Sequence, residues 1–531
     1  MLISFPNFMQ IMNSRNRKYA ILLVVTVAIT ATGAMSQAFA QQISDGMDGY
    51  VLGTSGIYTG NPNECWYDDG EGGMLPCRID TGDTAWILAA SSLVLFMTPG
   101  VAFYYGGLSR SKNAVNVIGM VFIVMGLMSW QWVAWGYTLA FGPNDNDANL
   151  YMGALDYVGF NQVSAWAPLG ELGLCTDTWS AAYQMQVFPE EEICSVGWPG
   201  TVPHQMFAMF QLTFAIITPA LIVGGLIDRM KFSALIIFIL LWGTFVYDPI
   251  AHWVWGGGFI GGGPLDLDPD LSPSYALDFA GGTVVHVTSG FAALAGALVL
   301  GRRLGYGKVP MEAHNVPMCV LGACILWFGW FGFNAGSEVM VDGITVSAWT
   351  VTNTATGVAS VTWLLMSWAY TGKPSIVGAA TGAVAGLVAI TPASGWVGPM
   401  AAIIIGIAAG TICYACVSFK NARRWDDALD VWAVHGMGGF TGAVLTGTLA
   451  SPHVWDTGDG IGAWTGTPEG YEQQAINIIG ALMSVAYTFG MTLVILKIMD
   501  TIWPGGIRVT PKEEEIGLDL AQHGERAYVN E

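Results

Sequence analysis

The chain has 531 residues, of which 53% are hydrophobic and only 11% are charged, and its formal net charge is −20. Soluble globular proteins carry about 25% charged residues. This composition therefore excludes an ordinary soluble domain and predicts an all-α protein that crosses a membrane many times.

The first 40 residues have the three parts of a secretory signal. Arg15, Arg17 and Lys18 precede the apolar run YAILLVVTVAITATGAM, and the small residues AFA end at Ala40. We predict that residues 1–40 are a signal peptide and that the mature chain starts outside the membrane. A first transmembrane anchor is the alternative, although no charged flank follows Ala40.

Two long polar segments, 41–83 and 142–203, are expected to be extracellular. Their acidic side chains would raise the local concentration of cations, or would serve only as a solvated surface. Each segment holds two of the four external cysteines, Cys65, Cys77, Cys175 and Cys194. An oxidising exterior favours two disulfides, with one pair expected within each segment, although four cysteines allow three pairings.

Residues 84–499 contain eleven apolar runs, each long enough to form a transmembrane helix of about 20 residues. The predicted spans lie near 85–108, 114–141, 204–227, 232–254, 281–300, 316–335, 346–370, 375–391, 397–418, 429–450 and 474–499. This topology places the N-terminus outside and the tail, 500–531, in the cytoplasm. Apart from three in the signal peptide and Arg78, every Lys and Arg falls on the cytoplasmic side, as the positive-inside rule requires.

The sequence contains an internal repeat around two histidines. VVHVTSGF at 284–291 resembles AVHGMGGF at 433–440, and Asp278 and Asp427 each precede the histidine by eight positions. Each copy lies in the fifth span of a block of five. Because five is odd, the second block enters the membrane from the opposite face, which predicts an inverted five-helix repeat followed by a final helix. The functional site of such folds lies near the bilayer midplane between the repeats.

The repeated histidines, His286 and His435, are candidate pore residues because ionisable groups at that depth normally face a pathway or a partner. A single histidine bonded to a backbone carbonyl would be ordinary packing, but two at equivalent positions favour a functional pair. Aromatic residues in MFQLTF, HWVWGGGF and WFGWFGFNAGS could attract a cation. Taken singly, each of these aromatics could also be core packing or part of an interfacial belt.

The motifs AHWVWGGG, DFAGGTVVH, GWFGFNAGS, DDALDVWAVHG and GLDLAQHGERAY together resemble those of the ammonium transporter family, Amt/Mep/Rh. The resemblance covers roughly residues 84–531. It implies an eleven-helix protomer with its own conduction path, a homotrimer in the plasma membrane, and no cofactor. It also implies ammonium or ammonia as substrate, with methylammonium as a candidate analogue, and regulation of the tail by a PII-type protein. No nucleic-acid partner is expected.

The resemblance also assigns roles to individual residues. It implies an outer recruitment site of Phe210, Trp255 and Ser337, a pair of stacked rings, Phe210 and Phe333, at the pore mouth, and a hydrogen-bonded pore pair, His286 and His435. Asp278 is similar to the acid below the recruitment site, and an aspartate before a helical run is also a natural N-cap. Asp427 and Asp430 are interpreted as structural groups at the cytoplasmic end.

An apolar pore should reject a bare cation, whose transfer costs on the order of 20 kcal/mol. Ammonium can instead release a proton, at a cost of about 3 kcal/mol near neutral pH. We therefore expect recruitment of ammonium, deprotonation, conduction of ammonia past the two histidines, and a proton relay through them. The alternatives are a passive channel for ammonia or carbon dioxide, an ammonium sensor, and a haem or metal enzyme. The last lacks a closely spaced ligand pair such as HExxH, and the chain is not expected to be an enzyme.

Overall fold

The computed structural model describes residues 65–68, 74–77, 79–143, 150–163, 165, 201–261, 275–455 and 462–528. The chain divides into two compact units, Met1–Ile79 and Asp80–Glu531. The predicted signal peptide lies outside the described residues, and so do Cys175 and Cys194.

Two short antiparallel strands are described in the first unit, β1 (Cys65–Asp68) and β2 (Met74–Cys77). Their register pairs Cys65 with Cys77, so the two backbones are direct neighbours. This pairing is compatible with a bond between the two residues, because opposed Cα atoms in an antiparallel ladder are about 5 Å apart. The side chains of both strands lie outside the described part, and both disulfides stay predictions.

The described part of the second unit contains eleven long helices, and each overlaps one predicted span. They are α1 (Thr81–Leu108), α2 (Ser111–Phe141), α3 (His204–Leu226), α4 (Phe232–Trp255), α5 (Gly282–Leu300), α6 (Val316–Glu338), α7 (Gly343–Thr371), α8 (Ile376–Ala393), α9 (Pro399–Arg423), α10 (residues 432–449) and α11 (Pro468–Ile502).

Nine of these helices are long and apolar enough to cross a membrane by composition alone. The other two, α7 and α10, are richer in Thr, Ser and Gly. Both pack against other helices: α7 contacts α8 and α9, and α10 contacts α5, α8 and α11. Small and polar residues are common where membrane helices meet. The predicted all-α, multi-span membrane architecture is confirmed.

The helices form two sets with the same pattern of packing. In the first set α1 packs against α3, α3 against α5, and α2 against α4; in the second set α6 packs against α8, α8 against α10, and α7 against α9. The pairs α1–α6 and α5–α10 join the sets, and α11 packs against both α5 and α10. The packing thus repeats over five helices and leaves α11 outside the repeat.

The equivalent helices α1 and α6 run antiparallel in close contact. A Cβ atom on Gly107, near the end of α1, would lie 2.7 Å from the carbonyl oxygen of Asn315 at the start of α6. A Cβ atom on Gly332, near the end of α6, would lie 2.8 Å from the carbonyl oxygen of Ala90. Glycine therefore lets the two backbones touch, and the antiparallel direction is the one that an inverted repeat requires.

The connections predicted to be cytoplasmic meet in a buried ion-pair cluster. Asp426, after α9, accepts hydrogen bonds from Arg229 Nη1 at 2.9 Å and from Arg303 Nη2 at 2.8 Å. Arg303 and Arg110 in turn both contact Asp228. Burial alone would raise the pKa of Asp426, but Arg229 and Arg303 outweigh it and hold the pKa below its ordinary value of 3.8. The loops after α1, α3, α5 and α9 therefore lie at one end of the bundle, as the Lys and Arg distribution predicts.

The C-terminal tail folds against the same end. Its short helix α12 (Pro511–Ile516) begins with a capping box formed by Thr510 and Glu513. Lys112, at the start of α2, donates to the backbone carbonyl of Glu514 at 2.7 Å. The tail is thus tied to the transmembrane body by hydrogen bonds.

Candidate functional site

Each predicted pore histidine lies in a widened first turn of its helix. α5 begins with the π-helical turn Gly282–Val287, which contains His286, and α10 begins with the π-helical turn Trp432–Gly436, which contains His435. Such turns are rare and frequently occur at functional sites. The two copies of the sequence repeat therefore share a local backbone geometry as well as a motif.

An aspartate caps each of these turns. Asp278 accepts four backbone N–H groups with its two carboxylate oxygens, from residues 281 to 284, at 2.6 to 3.1 Å. Asp427 accepts the N–H of Trp432 at 2.8 Å. The capping interpretation of Asp278 accounts for both of its oxygens, and the equivalent position in the second repeat has the same kind of contact.

Glycines bring α5 and α10 into backbone contact beside the histidines. A Cβ atom on Gly290 would lie 2.1 Å from the backbone nitrogen of Gly436, and one on Gly439 would lie 2.5 Å from the carbonyl oxygen of Gly282. A rising residue number on α5 thus meets a falling number on α10, so these helices also run antiparallel. No larger residue fits at this crossing without separating the helices.

This close crossing places the two imidazoles against each other. The Nδ1 atoms of His286 and His435 are 3.3 Å apart, so that one donates and the other accepts. Both rings are buried, with 1% and 4% of their surface exposed. His286 Nε2 has no hydrogen-bond partner among the described residues. The pair therefore presents a free polar atom in an apolar interior.

A continuous row of aromatic rings connects Trp255 to the histidine pair. Ring centroids are 5.8 Å apart between Trp255 and Phe214, 4.5 Å between Phe214 and Phe333, and 5.8 Å between Phe333 and His286. The last contact is stacked, with 18° between the ring planes. We call these four residues and His435 the ring path.

The ring that contacts Phe333 is that of Phe214, whereas the sequence resemblance implies this pairing for Phe210, whose role at the pore mouth stays a prediction. The ring contact of Phe210 is with Phe214, at 5.0 Å, whereas the ring that meets Phe333 is Phe214. The two phenylalanines are four residues apart on α3 and share a helix face. The motif MFQLTF contains both of them, and the sequence does not distinguish which of the two rings contacts Phe333.

The other two predicted recruitment residues, Trp255 and Ser337, each donate a hydrogen bond to a backbone carbonyl. Trp255 donates from its indole nitrogen to the backbone carbonyl of Asp278 at 2.9 Å. Ser337 donates to the carbonyl of Phe333 at 2.7 Å, which places its hydroxyl one turn from the ring path. The structure therefore brings Trp255 to Asp278, and Ser337 to the backbone of Phe333.

The acids at the other end form contacts with Lys420. Asp430 lies 2.5 Å from the Lys420 ammonium group, and the same group donates to the backbone carbonyl of Asp427 at 2.7 Å. Asp430 adopts a positive φ of 60°, a conformation that aspartate tolerates better than most residues. These contacts support the structural role predicted for Asp427 and Asp430.

Comparison with known proteins places this geometry in a family. The model of the ammonium transporter family matches residues 85–528. The chain belongs to the ammonium transporter family. An ammonium transporter of Aquifex aeolicus is 43% identical over 457 residues, which cover 85% of this chain and 94% of that protein. Ammonium transporter Amt1 of Archaeoglobus fulgidus is 39% identical over 448 residues, which cover 84% of this chain and 99% of that protein.

The fold likewise matches proteins of known structure. The crystal structure of Mep2 from Saccharomyces cerevisiae matches with a TM-score of 0.71 and 34% identity, covering 86% of this chain and 94% of that one. These matches confirm the family and fold predicted from the motifs, and with them a transporter rather than an enzyme.

Proposed function

We propose that this protein transports ammonium and that the ring path is its route. The observation that carries the proposal is the buried contact between His286 and His435, at the crossing of two antiparallel helices from equivalent positions of the repeat. Membership of the ammonium transporter family supplies the substrate class. Ammonium would be recruited at Trp255, Phe214 and Ser337 and would cross the protein as ammonia.

The apolar character of the ring path supports deprotonation before passage. Phe214 and Phe333 are buried, with at most 1% of their surface exposed, and stand between Trp255 and the histidines. A bare potassium ion has no way to avoid the transfer cost, on the order of 20 kcal/mol. Ammonium avoids it by leaving a proton behind, at about 3 kcal/mol. The route therefore discriminates by the ability to lose a proton rather than by size.

The released proton would follow through the imidazole pair. Imidazole carries both a donor and an acceptor, and the two Nδ1 atoms share one hydrogen bond. Uptake would then move net charge. The test is current from the reconstituted protein on a solid-supported membrane under an ammonium gradient, with potassium as the control ion. Ammonia flux into the same proteoliposomes without a current would leave a passive ammonia channel and exclude the proton relay.

We expect Phe214→Ala to raise the KM for ammonium current about tenfold. Phe214 lies between Trp255 and Phe333, and an aromatic face in a dry site stabilises a cation by up to about 2 kcal/mol. The matched variant is Phe210→Ala, which removes the neighbouring ring on the same helix face and should have the smaller effect. A larger effect at Phe210 than at Phe214 would assign the mouth to Phe210.

Assembly, location and regulation are part of the proposal. We expect a homotrimer in the plasma membrane, with a cleaved signal peptide, extracellular segments 41–83 and 142–203, and the tail 500–531 in the cytoplasm. A PII-type regulator would approach the face where the tail is hydrogen-bonded to Lys112. The support for the trimer and the regulator is the family resemblance.

A further inference from the structure

The short segment that leads into α5 is held by α11, the helix outside the repeat. Asn477 on α11 donates from Nδ2 to the Leu277 carbonyl at 3.0 Å, and its Oδ1 accepts the Leu277 N–H at 3.0 Å. The same Nδ2 donates to the Ala443 carbonyl on α10 at 3.1 Å. Gln473 donates to the Asn477 oxygen at 2.7 Å and to the Tyr275 carbonyl at 2.9 Å. Every polar atom of the Asn477 side chain is therefore engaged.

We call the hydrogen bonds of Asn477 and Gln473 to this segment the clamp. It holds Leu277, the residue before Asp278. The backbone carbonyl of Asp278 is the acceptor for the indole nitrogen of Trp255, and its carboxylate caps the first turn of α5. Fixing Leu277 thus fixes both the partner of Trp255 and the start of the helix that carries His286. Asn477 is itself buried, with 2% of its surface exposed, and it acts through the backbone rather than through the ring path.

The equivalent segment of the second repeat is held by charged groups instead. There the residue before the capping aspartate is Asp426, which binds the guanidinium groups of Arg229 and Arg303. An arginine beside the Trp255 end would repel an incoming cation, since like charges in a partly dry site interact strongly. A neutral amide holds the backbone without that repulsion. The residue before the capping aspartate is therefore held by an amide in the first repeat and by arginines in the second.

We propose that Asn477 is a positioning residue that sets the geometry of the cation-recruitment end through Leu277 and Asp278. The inference rests on the proposed function. Asn477→Ala should raise the KM for ammonium current about three- to tenfold, the factor expected when a geometry held by one or two buried hydrogen bonds is loosened. The maximal current should change less than about twofold, because neither histidine is replaced and their contact lies at the crossing of α5 and α10, which Gly290 and Gly439 hold together independently of Leu277.

The matched control is Gln474→Ala. Gln474 is the neighbouring amide on α11, and it bonds to Thr448 and to the Val444 carbonyl on α10 rather than to the segment before Asp278. Its removal should leave KM unchanged. Gln473→Ala should raise KM in the same direction as Asn477→Ala, and the double variant should raise it by less than the product of the two, because both act on one segment. If Asn477→Ala does not fold, the inference is tested with Gln473→Ala instead.

Hydrogen exchange gives a readout independent of transport. The Leu277 N–H should exchange faster in Asn477→Ala than in wild type, while Gln474→Ala should match wild type. An unchanged KM with faster exchange would overturn the inference and leave the proposed function standing. Equal effects of Asn477→Ala and Gln474→Ala on KM and on exchange would mean that Asn477 contributes only to helix packing. That result would also overturn the inference. A wild-type protein without any ammonium current would remove the proposed function and this inference together.

Discussion

Replacing His435 by alanine is expected to lower the ammonium-driven current about fivefold or more. The variant removes the hydrogen-bond partner of His286 Nδ1 and the second half of the proton relay. An unpaired polar group in a dry interior costs about 1–3 kcal/mol, and each 1.36 kcal/mol added to a barrier slows the step tenfold. The measurement is current on a solid-supported membrane, normalised to the amount of reconstituted protein.

A companion variant, His286→Asp, tests why the path excludes potassium. A fixed carboxylate in the tunnel would offset part of the transfer cost of a bare cation, so a potassium current should appear that wild type lacks. The control is His204→Gln, because His204 is also a fully buried histidine but binds the hydroxyl of Tyr137, away from the ring path. Full ammonium current in His435→Ala would rule out the relay.

The spans were predictable because bilayer thickness sets their length and because Lys and Arg are concentrated in the loops on the cytoplasmic side. Even α7 and α10, which are less apolar than the other nine, could be placed from the length of their predicted spans, 346–370 and 429–450, and from the side on which Lys and Arg fall. The inverted repeat could be recognised from two histidines with an aspartate eight residues earlier. What the pattern of residues did not contain was the widened first turn of α5 and α10, since a π-helical turn has no periodic signature over five or six residues.

The site was predictable only to the level of motifs. Phe210 and Phe214 have the same type, spacing and helix face, and only the packing of α3 against α6 decides which ring meets Phe333. The clamp formed by Asn477 joins residues 200 positions apart in sequence. Likewise, the partners of Asp426 come from the loops after α3 and α5. Contacts of this kind depend on the tertiary arrangement, and no local sequence pattern predicts them.

Asp426 is expected to be the residue whose loss destabilises the protein most. Asp426→Ala leaves the fully buried Arg229, and the nearly buried Arg303, without their shared carboxylate. Breaking a buried ion pair by removing one partner costs about 3–5 kcal/mol. The thermal transition of the detergent-solubilised protein should fall by several degrees at neutral pH. The exposed Glu515→Gln, which removes a charge from the same face, should leave the transition within about a degree of wild type.

The pH dependence separates the charge of Asp426 from its packing. Because its folded pKa is held below the ordinary 3.8 by Arg229 and Arg303, the stabilisation is present above that unfolded value and is lost as the pH falls through the folded value. The difference in stability between wild type and Asp426→Asn should therefore be constant from neutral pH down to about pH 4 and shrink below it. Taking the difference between the two proteins cancels the titration of the other carboxylates. A difference that stays unchanged through the acid range would mean that Asp426 acts by shape and hydrogen bonding alone. Its charge would then contribute nothing to the stability of the loop cluster after α1, α3, α5 and α9.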